Sequence, residues 1–199
     1  MFALPMLGIA APKPTAAPKI LVLGDSISAG YGLAANEGWV SLLQTRLKAQ
    51  GYGYRVVNAS VTGETTTGGL ARLPRALSLH QPAIVVIELG GNDGLRGLPL
   101  DTSRANLQKM IDLSRSAGAA VLLLGMKIPP NYGPRYASEF ERLYADLARR
   151  NKLAFEPFFL DKIALADGMM QEDGIHPTAK AQPIMLETLW PRLRPLLRR

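Results

Sequence analysis

A serine directly behind an apolar run, and an aspartate and a histidine three positions apart near the other end, are the residues best suited to chemistry. Ser26 closes Gly24-Asp25-Ser26, and Asp173-Gly174-Ile175-His176-Pro177 carries the other two. A serine hydroxyl is a weak nucleophile until an imidazole can take its proton. That imidazole in turn needs a carboxylate to fix its tautomer and stabilise its charged form. A tight glycine-containing turn lets Asp173 and His176 supply orienter and base from one loop. A tetrahedral oxyanion also needs donors: Asn92 offers a side-chain amide, Gly63 a backbone N–H with no Cβ in the way, and Ser26 its own N–H at a helix start. The only other histidine, His80, precedes Gln81-Pro82 and reads as a structural helix-end residue.

Composition removes competing chemistries. The 199 residues contain no cysteine, which excludes a thiolate nucleophile, a disulfide framework and Cys-ligated metal. No His-Glu-x-x-His pattern occurs, and no metal is expected. Gly30-x-Gly32-x-x-Ala35 imitates a dinucleotide fingerprint, but it starts well beyond the strand end and residues 48–54 offer no acidic ribose partner. Gly63-x-x-x-x-Gly68-Gly69 has phosphate-loop spacing with Gly69 where lysine is required. A Gly-x-Ser-x-Gly elbow is absent, because Ser28 occupies the last position. The formal charge of +7 sits at the ends: +2 in residues 1–24 and +4 in residues 177–199. A nucleic-acid binder would carry a basic stripe across its folded face, so no nucleic-acid partner is expected. No stretch of about 18 uninterrupted apolar residues exists, which excludes a membrane-spanning helix.

The elements that must position these residues alternate along the chain. Continuous apolar runs at 20–23, 55–58, 83–89, 119–125 and 153–155 suit strands buried on both faces of a parallel sheet. Helical periodicity fills 38–50, part of 66–80, 101–117, 135–151 and 178–197. Pro74 is expected to interrupt the second helix, and Pro183 and Pro191 to break or kink the last. The spacing predicts an α/β fold, a three-layer α/β/α sandwich. In such sheets ligands gather at the carboxyl ends of strands, where Gly24-Asp25-Ser26, Asn58 to Gly63 and Gly90-Gly91-Asn92-Asp93 fall.

Those blocks, in this order and spacing, resemble the SGNH (GDSL-type) serine hydrolases over about Lys19 to Trp190. Asn58-Ala59-Ser60, Glu88-Leu89-Gly90-Gly91-Asn92-Asp93-Gly94-Leu95-Arg96-Gly97 and Pro130-Asn131-Tyr132-Gly133 are similar to the thioesterase I / protease I / lysophospholipase L1 subgroup, arylesterases included. The resemblance implies a flavodoxin-like five-stranded parallel sheet of order 2-1-3-4-5, and neither metal nor cofactor. It implies Ser26 as nucleophile, His176 as base and Asp173 as its partner, with Ser26, Gly63 and Asn92 forming the oxyanion hole. The loops at 95–99 and 128–136 would shape the acyl pocket through Leu95, Leu98, Ile128 and Tyr132. Asp25 and Asp93 read as loop-bracing acceptors and Glu88 as a buried brace.

The expected function is a serine esterase acting on small-molecule aryl and acyl esters or thioesters, lysophospholipids among them, through an acyl-enzyme. A carbohydrate O-acetyl esterase is the alternative, and a binding module on the same scaffold the non-enzymatic one. Oligomeric state stays open. Residues 1–18, an apolar run followed by a Pro/Ala-rich stretch, are a shortened export leader or a disordered extension ahead of a hydrolase domain at 19–199. A periplasmic or secreted location is expected, with the cytoplasm as alternative.

Overall fold

Strand β1 (Lys19–Gly24) lies inside the sheet, flanked by β2 (Arg55–Asn58) and β3 (Ile84–Glu88). Beyond β3 come β4 (Ala120–Leu124) and β5 (Ala154–Glu156). All four pairings are parallel, giving the order β2-β1-β3-β4-β5, the flavodoxin-like order expected. The computed structural model describes residues 17–199, so the leader-like segment up to residue 16 lies outside the described residues.

The strands are apolar on consecutive residues because alternate side chains enter two separate cores. Leu21, Leu23, Val85, Ile87, Val121 and Leu123 point to one face. They meet Leu73 and Leu77 of α3 (Thr66–His80), Leu107 and Met110 of α5 (Leu100–Ser116), and Phe140, Leu143 and Tyr144 of α6 (Pro134–Asn151). Ile20, Val22, Ile84, Val86, Leu122 and Leu124 point the other way. There they pack on Trp39, Leu43 and Leu47 of α2 (Trp39–Ala49) and Met185, Leu189 and Leu193 of α7 (Gln182–Leu193). Each fully buried side chain of this kind stabilises the fold by roughly 1.5–3 kcal/mol. The three-layer sandwich follows from this double burial.

A short helix, α1 (Ser26–Ala29), begins at Ser26, where a helix start was expected; α4 (Gly91–Leu95), too short to show a period, was not anticipated. The proline expectations need correction. Helix α3 runs unbroken through Pro74. That residue is exposed, whereas Gly69, Leu73 and Leu77 of the same helix are buried, so packing holds the helix across the missing N–H. Pro183 sits in the first turn of α7 rather than breaking it, as suits a residue whose N–H would have no intrahelical partner. Pro191 lies inside the last turn of α7, and the chain passes into a 3-10 turn at Arg194–Leu196.

Because Pro74 removes a helical donor on the solvent face without packing in return, its replacement should be stabilising. Pro74→Ala is expected to raise unfolding stability by about 1–2 kcal/mol, after allowing for the freer unfolded chain. Urea unfolding would check this; a loss of stability would show that the ring packs usefully.

Candidate active site

The β1 strand ends at Gly24, opposite Glu88 at the end of β3. Glu88 is fully buried, and its Oε2 accepts from the Ser28 hydroxyl at 2.6 Å and the Asp25 N–H at 3.3 Å. A Cβ on residue 24 would lie 2.6 Å from that oxygen, so only glycine allows the approach. Asp25 then caps α1, its Oδ1 accepting from the Ile27 N–H at 3.0 Å. Ser26, the next residue, is buried at the first position of α1. The braces expected at Asp25 and Glu88 are therefore present, and both grip the turn that carries Ser26. Asp93 braces as well, accepting from the Thr66 N–H and hydroxyl and from the Ser103 hydroxyl.

His176 arrives from the segment before α7. Its Nε2 lies 2.9 Å from Ser26 Oγ, and its Nδ1 lies 2.6 Å from Asp173 Oδ2. Asp173 Oδ1 accepts from the Ile175 and His176 N–H groups at 2.9 and 3.0 Å, and Gly174 takes a left-handed φ of 66°. The His176 side chain beside it, reinforced by these two backbone donors, lowers the Asp173 carboxyl to about 2. An ionised carboxylate can only accept, so the Nδ1 proton must be the donor. That leaves the Nε2 lone pair facing the Ser26 hydroxyl. The arrangement can draw the serine proton onto the imidazole.

The expected oxyanion donors sit on neighbouring loops. Neither the Ser26 nor the Gly63 N–H donates to another of the described residues. Gly63 has a φ of 77°, and its carbonyl accepts from Arg96 Nη2 at 3.1 Å. The Asn92 amide is engaged: Nδ2 donates to the Glu64 carbonyl at 3.0 Å and to Asp25 Oδ2 at 3.2 Å. Both amide hydrogens thus point to protein acceptors, the longer bond being the one to Asp25.

The four expected pocket residues differ in setting. Leu95 and Leu98 are half-buried at the end of α4 and just beyond it, and Tyr132 is exposed. Ile128 is instead buried in the core, against Phe140 and Gly94. A Cβ at Gly94 would meet Ile128 Cγ2 at 2.8 Å, so this glycine draws the isoleucine inward. Among the described residues, a cleft of about 500 Å³ lies between Tyr52 and Trp190 and another beside Val40 and Asn58, both lined by residues other than Ser26, Asp173 and His176.

A model of the GDSL-like Lipase/Acylhydrolase family matches residues 22–183. The chain belongs to that family. This hydrolase is 57% identical to esterase TesA of Pseudomonas aeruginosa over 185 residues, 93% of this chain and 92% of that one. It is 40% identical to thioesterase 1/protease 1/lysophospholipase L1 of Escherichia coli, over 93% and 88% of the two chains. A crystal structure of esterase EstA from Pseudoalteromonas sp., inhibited by monoethylphosphonate, superposes with a TM-score of 0.85 at 40% identity, over 89% of this chain and 97% of that one.

The hydrolase also brings to the site side chains to which no individual role attaches in the sequence. Arg96 braces the Gly63 peptide, and Tyr31 lies against His176 with ring centroids 4.3 Å apart. Gln171 bonds both the Tyr31 and the Pro177 carbonyls. Tyr31 sits between Gly30 and Gly32, inside the glycine pattern that imitates a dinucleotide fingerprint. Gln171 lies two residues ahead of Asp173.

Burial raises the Asp25 carboxyl to about 6 and pushes Glu88 well above the usual carboxylate range, where the Asp25 charge adds to the effect. A raised folded-state value means that the native state keeps a proton which the unfolded chain has lost. Asp25 thus favours folding fully below about pH 4, and that contribution disappears as pH rises through about 6. Asp25→Asn should remove this slope, on the order of 1–3 kcal/mol, from the pH 4–6 window of unfolding stability. Equilibrium denaturation of both proteins across that range is the check, and parallel curves would contradict it.

Proposed function

We propose that this hydrolase is a serine esterase of aryl and acyl esters and thioesters, lysophospholipids among them, with Ser26, His176 and Asp173 as its reacting set. The continuous contact from Ser26 Oγ through the imidazole to the Asp173 carboxylate carries this reading. The names of the relatives, an esterase and a thioesterase/protease/lysophospholipase, support the substrate classes. The phosphonate-inhibited relative adds support for a serine nucleophile.

Ser26 Oγ attacks the carbonyl carbon as His176 Nε2 takes its proton. Asp173 stabilises the imidazolium that results. The oxyanion accepts from the Ser26 and Gly63 N–H groups and from Asn92, whose amide gives up its longer bond to Asp25. His176 then protonates the departing alcohol or thiol, leaving an acyl-Ser26 that water clears by the same steps reversed. Leu95, Leu98 and Tyr132 line the acyl path, with Ile128 supporting it from beneath. The apolar stretch within residues 1–18 favours a periplasmic or exported enzyme.

Ser26→Ala should cut hydrolysis of p-nitrophenyl esters by a factor on the order of 10⁴–10⁶ while folding normally. A fluorophosphonate should label Ser26 in the parent protein, and label found on another serine would sink the assignment. The same assay with an acetylated sugar tests the carbohydrate alternative, which a strict preference for that substrate would favour.

Asn92→Ala separates transition-state binding from bracing. An oxyanion donor should lower kcat by roughly 10²–10³ with KM within a few-fold. A variant that melts early but turns over normally would leave Asn92 as a brace for Asp25 and Glu64 alone.

A further inference from the structure

We propose that Tyr31, held by Gln171, is a positioning residue for His176: its ring closes one face of the imidazole and keeps Nε2 on Ser26 Oγ. This rests on the Ser26–His176–Asp173 reading. The two rings lie 4.3 Å apart at 36°. Tyr31 is 49% exposed, so it adds little to either core. It is nonetheless fixed from two sides. Its N–H and that of Gly30 both donate to the Ser26 carbonyl at 3.1 Å, tying the turn to the nucleophile's own residue. Its carbonyl accepts from Gln171 Nε2 at 2.9 Å.

Gln171 in turn belongs to the histidine loop. Its N–H donates to the His176 carbonyl at 2.7 Å, its carbonyl accepts from the Gly174 N–H at 2.9 Å, and Nε2 also reaches the Pro177 carbonyl at 3.1 Å. The crossing is tight. Gly32 has a φ of 74°, and a Cβ there would come 2.5 Å from Gln171 Oε1. One side chain thus joins two loops 140 positions apart in sequence, and the ring it steadies rests on the imidazole.

The physical need is plain. Bonds at Nδ1 and Nε2 hold two edges of the imidazole, but neither opposes a roll of the ring out of its plane. A face contact does. A misplacement of about 1 Å at a reacting group can cost as much as 10²-fold in rate, so a partial loss of support should be measurable.

The test compares Tyr31→Ala, Tyr31→Phe and Gln171→Ala on p-nitrophenyl acetate and octanoate, with rates expressed per Ser26 counted by fluorophosphonate. Tyr31→Ala should lower kcat by about 5–30-fold, equally for both esters, with KM within about threefold and the melting temperature unchanged. Tyr31→Phe should recover most of the loss. Gln171→Ala should act in the same direction but add little in the Tyr31→Ala background. A raised KM with kcat kept, or a loss that differs between the esters, would make the ring a substrate wall and overturn the proposal. So would an unchanged kcat. His176→Ala is the control for the underlying reading: wild-type turnover there would remove the histidine itself, whereas its inactivity beside a fully active Tyr31→Ala defeats only the positioning role.

Discussion

A carboxyl group fully buried at the end of an inner strand is costly, and at Glu88 the cost is offset by what it holds. Its Oε2 takes the Ser28 hydroxyl and the Asp25 N–H, across a gap that the missing Cβ of Gly24 leaves open. The β1–α1 turn is thereby fastened to β3 and cannot drift relative to the sheet. From there the contacts run outward: Asp25 to the Asn92 amide, Asn92 to the Glu64 carbonyl, and Arg96 to the carbonyl of Gly63. Three loops from three strand ends share one hydrogen-bonded path that begins at a single acid.

The histidine loop reaches this edge independently. Trp39 donates its N–H to Gln182 Oε1 at 3.0 Å, joining the start of α2 to the start of α7 six residues after His176. Phe159 and Ile163 anchor the preceding segment in the core beneath. The Asp173 carboxyl, lowered to about 2 chiefly by the His176 side chain, is ionised at neutral pH, so it accepts from Nδ1 and leaves Nε2 toward Ser26. Geometry is therefore set from the core, while the acid–base pair stays near solvent, where water must enter to clear an acyl group.

What the residues disclosed depended on whether the signal was local. The β3 run Ile84-Val85-Val86-Ile87 announces a strand buried on both sides, because no partner is needed to read it. Ser26 and the Asp173–His176 turn were legible as chemistry, and the family resemblance supplied their order. Pro74 misled, since a propensity that breaks isolated helices yields to the packing of Leu73 and Leu77. Ile128 went to the core because Gly94, on another element, leaves room for it. Tyr31 and Gln171 carry no motif of their own. Their roles exist only once two loops far apart in sequence have met, and no window of neighbouring residues contains that fact. The engagement of the Asn92 amide was hidden for the same reason.

The outer strands bear on how these molecules behave in company. β2 has four residues and begins at exposed Arg55, and β5 has only three. An unpaired strand edge is a template on which another chain can add, and long, flat, apolar edges invite aggregation. The long apolar strands β1, β3 and β4 are all shielded by neighbours on both sides. What faces outward is too brief, and on the β2 side too polar, to recruit a foreign strand, so a crowded solution of this enzyme has little purchase for growing a shared sheet.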